Sequence, residues 1–216
     1  MNPPLFSALA LTAAIVGSSH TLAPDHWVPF AALARAQRWS ARRTFLVTVL
    51  CGFGHVTVSA LLGLLGLLFG LRMVEAFGRR MEAAAGILLV AFGAVYAVWG
   101  VRRALGRRVH GHAHAHYDHV HEPARATVGG LFVLFSADPC VAVIPILFAA
   151  APLGAHAATA VVFVYEIATI GTMVLLVMPA RAGARALRFE WLERWADAAA
   201  GAVIVAVGVG VAILGW

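Results

Sequence analysis

Lysine is absent from this 216-residue chain; all 16 of its basic residues are arginine, a pattern that reads as a bias of the source genome. Charge of either sign is scarce. Only 12% of the residues are charged, 62% are hydrophobic, and the mean hydropathy is +0.86. A soluble domain of this size needs far more polar surface, so the composition excludes one. Alternating ten-residue strands are also missing. The apolar residues come in long runs, which excludes a membrane barrel and leaves helices. Cysteine is limited to Cys51 and Cys140, too few for a disulfide framework and silent about redox compartment. No basic patch interleaved with aromatics is present, so the net charge of +6 does not mark a nucleic-acid surface. The N-terminal residues lack the positive region of a signal peptide and read as the first membrane segment.

What is present is six apolar stretches, near residues 5–34, 44–70, 81–101, 127–152, 155–179 and 196–216. About 20 residues suffice to span a bilayer core. The first stretch is too long for one straight span and contains Pro24, which predicts a helix broken between Ser18 and Pro24. The expected fold is an all-α integral membrane protein, one polytopic domain over 1–216 with six transmembrane helices. Thirteen of the arginines fall in the loops after segments 1, 3 and 5. The positive-inside rule makes those loops cytoplasmic and puts both termini outside. A 3+3 inverted repeat follows, with helices 1 and 4 broken, as in many secondary transporters.

Residues 106–126 separate the halves and form the expected cytoplasmic His-rich loop. It carries His110, His112, His114, His116, His119 and His121. Their alternating spacing suits flexible metal capture; the bland alternative is a solvated linker.

An ionisable residue within a membrane span is by default a candidate for function. The stretch "HTLAPDH" holds His20, Asp25 and His26. On an unbroken helix His20 and His26 lie about 240° apart, on different faces. A break lets all three converge, and irregular backbone at membrane depth is tolerated where it lines a cavity. Two imidazoles and a carboxylate suit a borderline divalent metal. His55 in "GFGHVTVS" reads as a further ligand, or else as a helix-to-helix hydrogen bond. "SADPCVAVIP" predicts a second break around Pro139, where Asp138 ligates, gates or carries a proton. Cys140 there ligates or packs as a small apolar residue. Glu166 is a candidate proton carrier, or a carboxyl bonded to Tyr165 or Thr169.

These residues resemble the nickel/cobalt transporter families. His20, Asp25 and His26 match the His-x4-Asp-His signature of nickel/cobalt permeases. The order "HTLAPDH", "GFGHVTVS", "HGHAHAHYDHVH", "SADPC" is similar to the NicO family of nickel/cobalt exporters and urease-associated membrane proteins. The likeness covers most of the chain. It departs at "SADPC", where a Thr-Pro or Ser-Pro pair is expected before the cysteine. The resemblance implies a non-enzymatic secondary transporter of Ni²⁺ or Co²⁺ in a bacterial or archaeal cytoplasmic membrane. Its partners would be the metal, taken as substrate and not as cofactor, the lipid bilayer, and a link to nickel-enzyme maturation. Proton coupling follows if protons compete with metal for the imidazoles. Uptake is favoured over efflux on the His-x4-Asp-His form. A thiol–disulfide carrier on a similar six-span scaffold is the alternative suggested by the Pro-Cys pair, but it needs a partner cysteine where this chain has Asp25 and His26. A non-transporting metal sensor or assembly protein is the third reading.

Overall fold

A computed structural model of the chain describes residues 3–106, 122–186 and 190–214. These form eight α-helices: α1 (Pro3–His20), α2 (Pro24–Ala36), α3 (Ala41–Phe69), α4 (Leu71–Gly106), α5 (Glu122–Ala137), α6 (Val143–Ala150), α7 (Ala155–Ala186) and α8 (Glu190–Leu214). A 3₁₀ turn over Ala151–Leu153 follows α6. No strand occurs among the described residues. The His-rich tract from His110 to His121 lies outside them.

The helices account for the apolar segments. Four are long and apolar enough to cross a membrane: α3, α7, Ala83–Gly106 of α4 and Arg194–Ile213 of α8. The bent pair α1–α2 makes five if taken as one span. The fourth apolar stretch, residues 127–152, is broken as its Pro139 predicts, and neither piece is long enough to count as a span. It forms two short apolar helices, Thr127–Ala137 and Val143–Leu153. At 1.5 Å per residue each is about 16 Å long, half of a bilayer core of about 30 Å.

Both breaks follow from proline. Pro24 takes the first position of α2, where its missing N–H costs no helix bond. The break is narrower than the sequence indicates: α1 runs on to His20, and only Thr21, Leu22 and Ala23 leave the helix. The two helices meet at 52°. Polar groups freed by the break are satisfied locally. The Thr21 hydroxyl donates to the Gly17 carbonyl at 2.6 Å, and the Trp27 indole N–H donates to the Leu22 carbonyl at 3.3 Å. The second break spans Asp138 to Ala142, around Pro139. Between α3 and α4 the chain turns at Gly70, whose φ of +96° favours a residue without Cβ.

The most extensive helix contact joins α4 and α8. Gly86, Gly93 and Gly100 on α4 recur every seven residues and lie against the backbone of Ala212, Val205 and Ala198 on α8, while Gly201 and Gly208 on α8 lie against the backbone of Ala97 and Val90 on α4. Small residues permit such close approach where the hydrophobic effect supplies no drive between helices.

At the arginine-rich end a polar network fixes α2. The Trp39 indole N–H donates to Gln37 Oε1 at 2.9 Å, and Gln37 Nε2 donates to Tyr96 and Thr127 at 3.2 and 3.0 Å. The Tyr96 hydroxyl donates to Asp197 at 3.0 Å, and Arg103 pairs with the same carboxylate at 2.9 Å. Arg181, which the hydropathy pattern leaves in a loop, instead lies buried within α7 and donates twice to the Trp39 carbonyl. The network reaches α4, α5, α7 and α8 from the end of α2, and so holds in place the helix that carries Asp25 and His26.

Candidate metal centre

The break in the first segment bends His20, at the end of α1, back toward His26, in the first turn of α2. Their ring centroids lie 4.4 Å apart. His55, midway along α3, completes the group at 5.1 Å from His26 and 6.2 Å from His20. The helical separation that would have kept His20 and His26 on different faces is thus removed by the break. Asp25, His26 and His55 are each under 5% exposed.

Two of the three imidazoles have a polar neighbour at the back of the ring. The ring Nδ1 of His55 lies 3.1 Å from the Phe135 carbonyl, at the end of α5, and as donor there it leaves Nε2 with its lone pair. His26 Nδ1 sits 3.0 Å from Asp25 Oδ1, in ion-pair reach though without an aligned hydrogen bond. Pro29 lacks the N–H that would bond the Asp25 carbonyl, so the first turn of α2 is loosely tied. The Phe135 ring packs against His26 and His55 at 5.7 and 5.5 Å and closes the apolar side.

The front of the cluster is unsatisfied. The Nε2 atoms of His20, His26 and His55 are all shut off from solvent without a hydrogen-bond partner. Buried polar atoms are rarely left so, and three of them on one cluster of adjacent rings call for a ligand. The position of His55 answers both readings of that residue: one ring nitrogen ties α3 to α5, and the other is free.

Cys140 enters from the second break. Ligand atoms of His20, His55 and Cys140 all lie within 4.8 Å of one another, close enough for the three to close on one metal ion. Cys140 is 1% exposed, and its Sγ is hydrogen-bonded to the Tyr165 hydroxyl. Its backbone N–H donates to Ser59 Oγ at 2.6 Å, while the Ser59 hydroxyl donates to the His55 carbonyl at 2.7 Å. Ser59 therefore pins the second break to the turn of α3 that carries His55. Replacing Ser59 with alanine strands a buried backbone N–H, at a cost of about 1–3 kcal/mol. Thermal unfolding in detergent is expected to report the loss, and an unchanged melting temperature would remove Ser59 from this role.

The remaining candidates are not in the group of close ligand atoms. Asp138 borders a small cavity of about 20 Å³ that it shares with Asp25, Ala85, Leu89, Phe135 and Val211. Glu166 borders a much larger one, about 600 Å³, walled by apolar residues of α3 and α7. Neither Tyr165 nor Thr169 is seen to bond it: the Tyr165 hydroxyl turns to Cys140, and Glu166 Oε1 and Thr169 Oγ1 have no hydrogen-bond partner. Cys51 is a free buried thiol in the apolar cluster around Phe30 and Leu131, whereas Cys140 belongs to the one around Tyr165 and Ile144. The His cluster sits where these two apolar clusters meet, with Phe135 from one and Cys140 from the other. Ser59 and Tyr165 both hold Cys140, which the sequence does not show: Ser59 is merely near His55 in the chain, and Tyr165 reads there only as a partner for Glu166.

Comparison with known proteins returns no matching family model, no matching curated protein and no matching solved structure.

Proposed function

We propose that the protein is a secondary transporter of a divalent transition metal, nickel or cobalt foremost, with the ion held transiently between the two broken segments. The observation that carries this reading is the buried meeting of His20, His55 and Cys140, whose ligand atoms all lie within 4.8 Å of one another, with the Nε2 atoms of His20 and His55 left without a hydrogen-bond partner. His26 packs edge-on beside the two other imidazoles, with Asp25 behind it as the carboxylate that orients it. Imidazole with a thiolate suits late transition metals and disfavours Mg²⁺ and Ca²⁺, which take oxygen ligands.

In this reading α1 with α2 makes one crossing and α5 with α6 another, giving six in two inverted halves. Each half opens on a broken segment, and each break delivers ligands: His20, Asp25 and His26 from the first, Cys140 from the second. Arginine asymmetry sets the termini outside, and the six histidines from His110 to His121 form a cytoplasmic capture tract. Asp138 and Glu166 are candidates for proton transfer, each beside its own cavity. Metal and proton compete for imidazole nitrogen, so affinity falls as pH falls.

The test is flux into proteoliposomes. Purified protein is expected to admit Ni²⁺ or Co²⁺ above the rate of protein-free vesicles, with Zn²⁺ run alongside. No flux of any of the three would overturn the reading and favour a sensor or assembly protein. We favour uptake, on the His-x4-Asp-His form of the first break. Cells expressing the chain should then accumulate metal; increased tolerance with lowered accumulation would reverse the direction to efflux.

A further inference from the structure

Tyr165 is the largest buried polar side chain that the transport reading leaves without a task. It is fully buried in α7, within an apolar cluster that includes Ala13, Val143, Ile144 and Val161. Its ring is supported by that packing. Its hydroxyl is not, because such surroundings offer few partners and a stranded hydroxyl costs free energy. The partner it finds is Cys140 Sγ.

The position of Tyr165 is itself fixed. A Cβ added at Gly17 would stand 3.0 Å from the Tyr165 carbonyl oxygen and 3.4 Å from Cδ2 of its ring. Helix α1 therefore lies directly against α7 at Tyr165, one turn before α1 ends in His20. Cys140 is fixed from its other side by Ser59. The thiol is thus clamped between α3 and α7, with ring nitrogens of His20 and His55 within 4.8 Å of its sulfur.

A metal-bound cysteine is a thiolate, with its proton lost on coordination, and thiolate sulfur can only accept hydrogen bonds. A phenol O–H at that sulfur is a donor placed in advance. Donors to a metal-bound ligand orient it and tune its electron donation, and their loss typically weakens metal affinity 10–100-fold.

We infer that Tyr165 is a positioning residue of the metal site: its hydroxyl donates to the Cys140 sulfur and holds it as the soft ligand of the transported ion. The inference rests on the metal-transport reading, and it makes α7 a contributor to a site otherwise built from the two breaks and α3.

Cobalt serves as the probe, because Co²⁺–thiolate bonds absorb strongly in the near ultraviolet. The full-length protein in detergent is titrated with Co²⁺ alone, as native chain, Tyr165→Phe and Cys140→Ser. The native chain should show the sulfur-to-cobalt band, and Cys140→Ser should lose it. Tyr165→Phe keeps the ring packing and removes one hydroxyl. It should keep the band, shift it to longer wavelength, since a sulfur without its hydrogen bond gives up electron density more easily, and bind cobalt 10–100-fold more weakly. An equal melting temperature for Tyr165→Phe and native chain would show that packing is retained. A band and an affinity unchanged in Tyr165→Phe overturn this inference and leave the transport reading standing. Cobalt binding without a thiolate band in the native chain also overturns it. No cobalt binding by the native chain fails the transport reading itself, and this inference with it.

Discussion

Metal flux through the reconstituted protein is expected to fall to the background of empty vesicles when His20 or His55 is replaced by alanine, while the variants still insert. The two substitutions remove different amounts of structure. His20 Nε2 has no hydrogen-bond partner, so alanine there deletes a free lone pair and little else that is polar. His55→Ala also gives up the bond from Nδ1 to the Phe135 carbonyl, worth about 1 kcal/mol net. Loss of an outer-shell partner alone typically costs roughly 10–100-fold in affinity, and loss of a ligand should cost at least that. His156 is the internal control. It is exposed at the start of α7, and His156→Ala should leave flux unchanged. Native flux in both His20→Ala and His55→Ala would rule out this cluster as the path of the ion.

The largest expected effect on stability comes from a position with no polar chemistry. A Cβ at Gly93 would stand 2.7 Å from the Val205 backbone nitrogen and 2.9 Å from the Gly201 carbonyl oxygen. Both are backbone atoms of a rigid helix, so relief requires α4 and α8 to separate. Overpacking typically costs 1–3 kcal/mol, and a clash with backbone on both sides belongs at the upper end, about 3 kcal/mol. For a chain of this length that corresponds to a melting temperature lowered by roughly 6–12 °C. Gly93→Leu measured against Gly171→Leu checks it. Gly171 has nothing within 4 Å of its would-be Cβ, and leucine there should be tolerated. Equal melting temperatures for the two variants would show that α4 and α8 do not meet as closely as Gly93 and Gly201 imply.

The two expectations sit at opposite ends of legibility. His20, Asp25, His26 and His55 stand out in sequence because ionisable residues at membrane depth are costly and therefore conspicuous against apolar neighbours. Gly93 does not stand out: glycine is common in membrane helices, and nothing local tells a glycine at a helix crossing from one facing open space, such as Gly171. Arg181 was misleading for a related reason. Near the end of an apolar run it counts as a loop charge, yet its long side chain folds inward to cap the Trp39 carbonyl.

By itself the sequence determined that the chain is helical and apolar at membrane-spanning length, that its first and fourth apolar segments break at prolines, and which side chains are chemically conspicuous. Composition and proline geometry act locally, so a linear reading captures them. Only the tertiary structure decided which of those side chains meet. It brought His20, His26, His55 and Cys140 together, left Asp138 on a small cavity beside Asp25, and gave Glu166 to a separate one. It also assigned Ser59 and Tyr165 to the clamp on Cys140. These depend on how four helices and two breaks pack across more than a hundred residues of chain, and hydrogen-bond partners at that separation leave no periodic trace in the sequence.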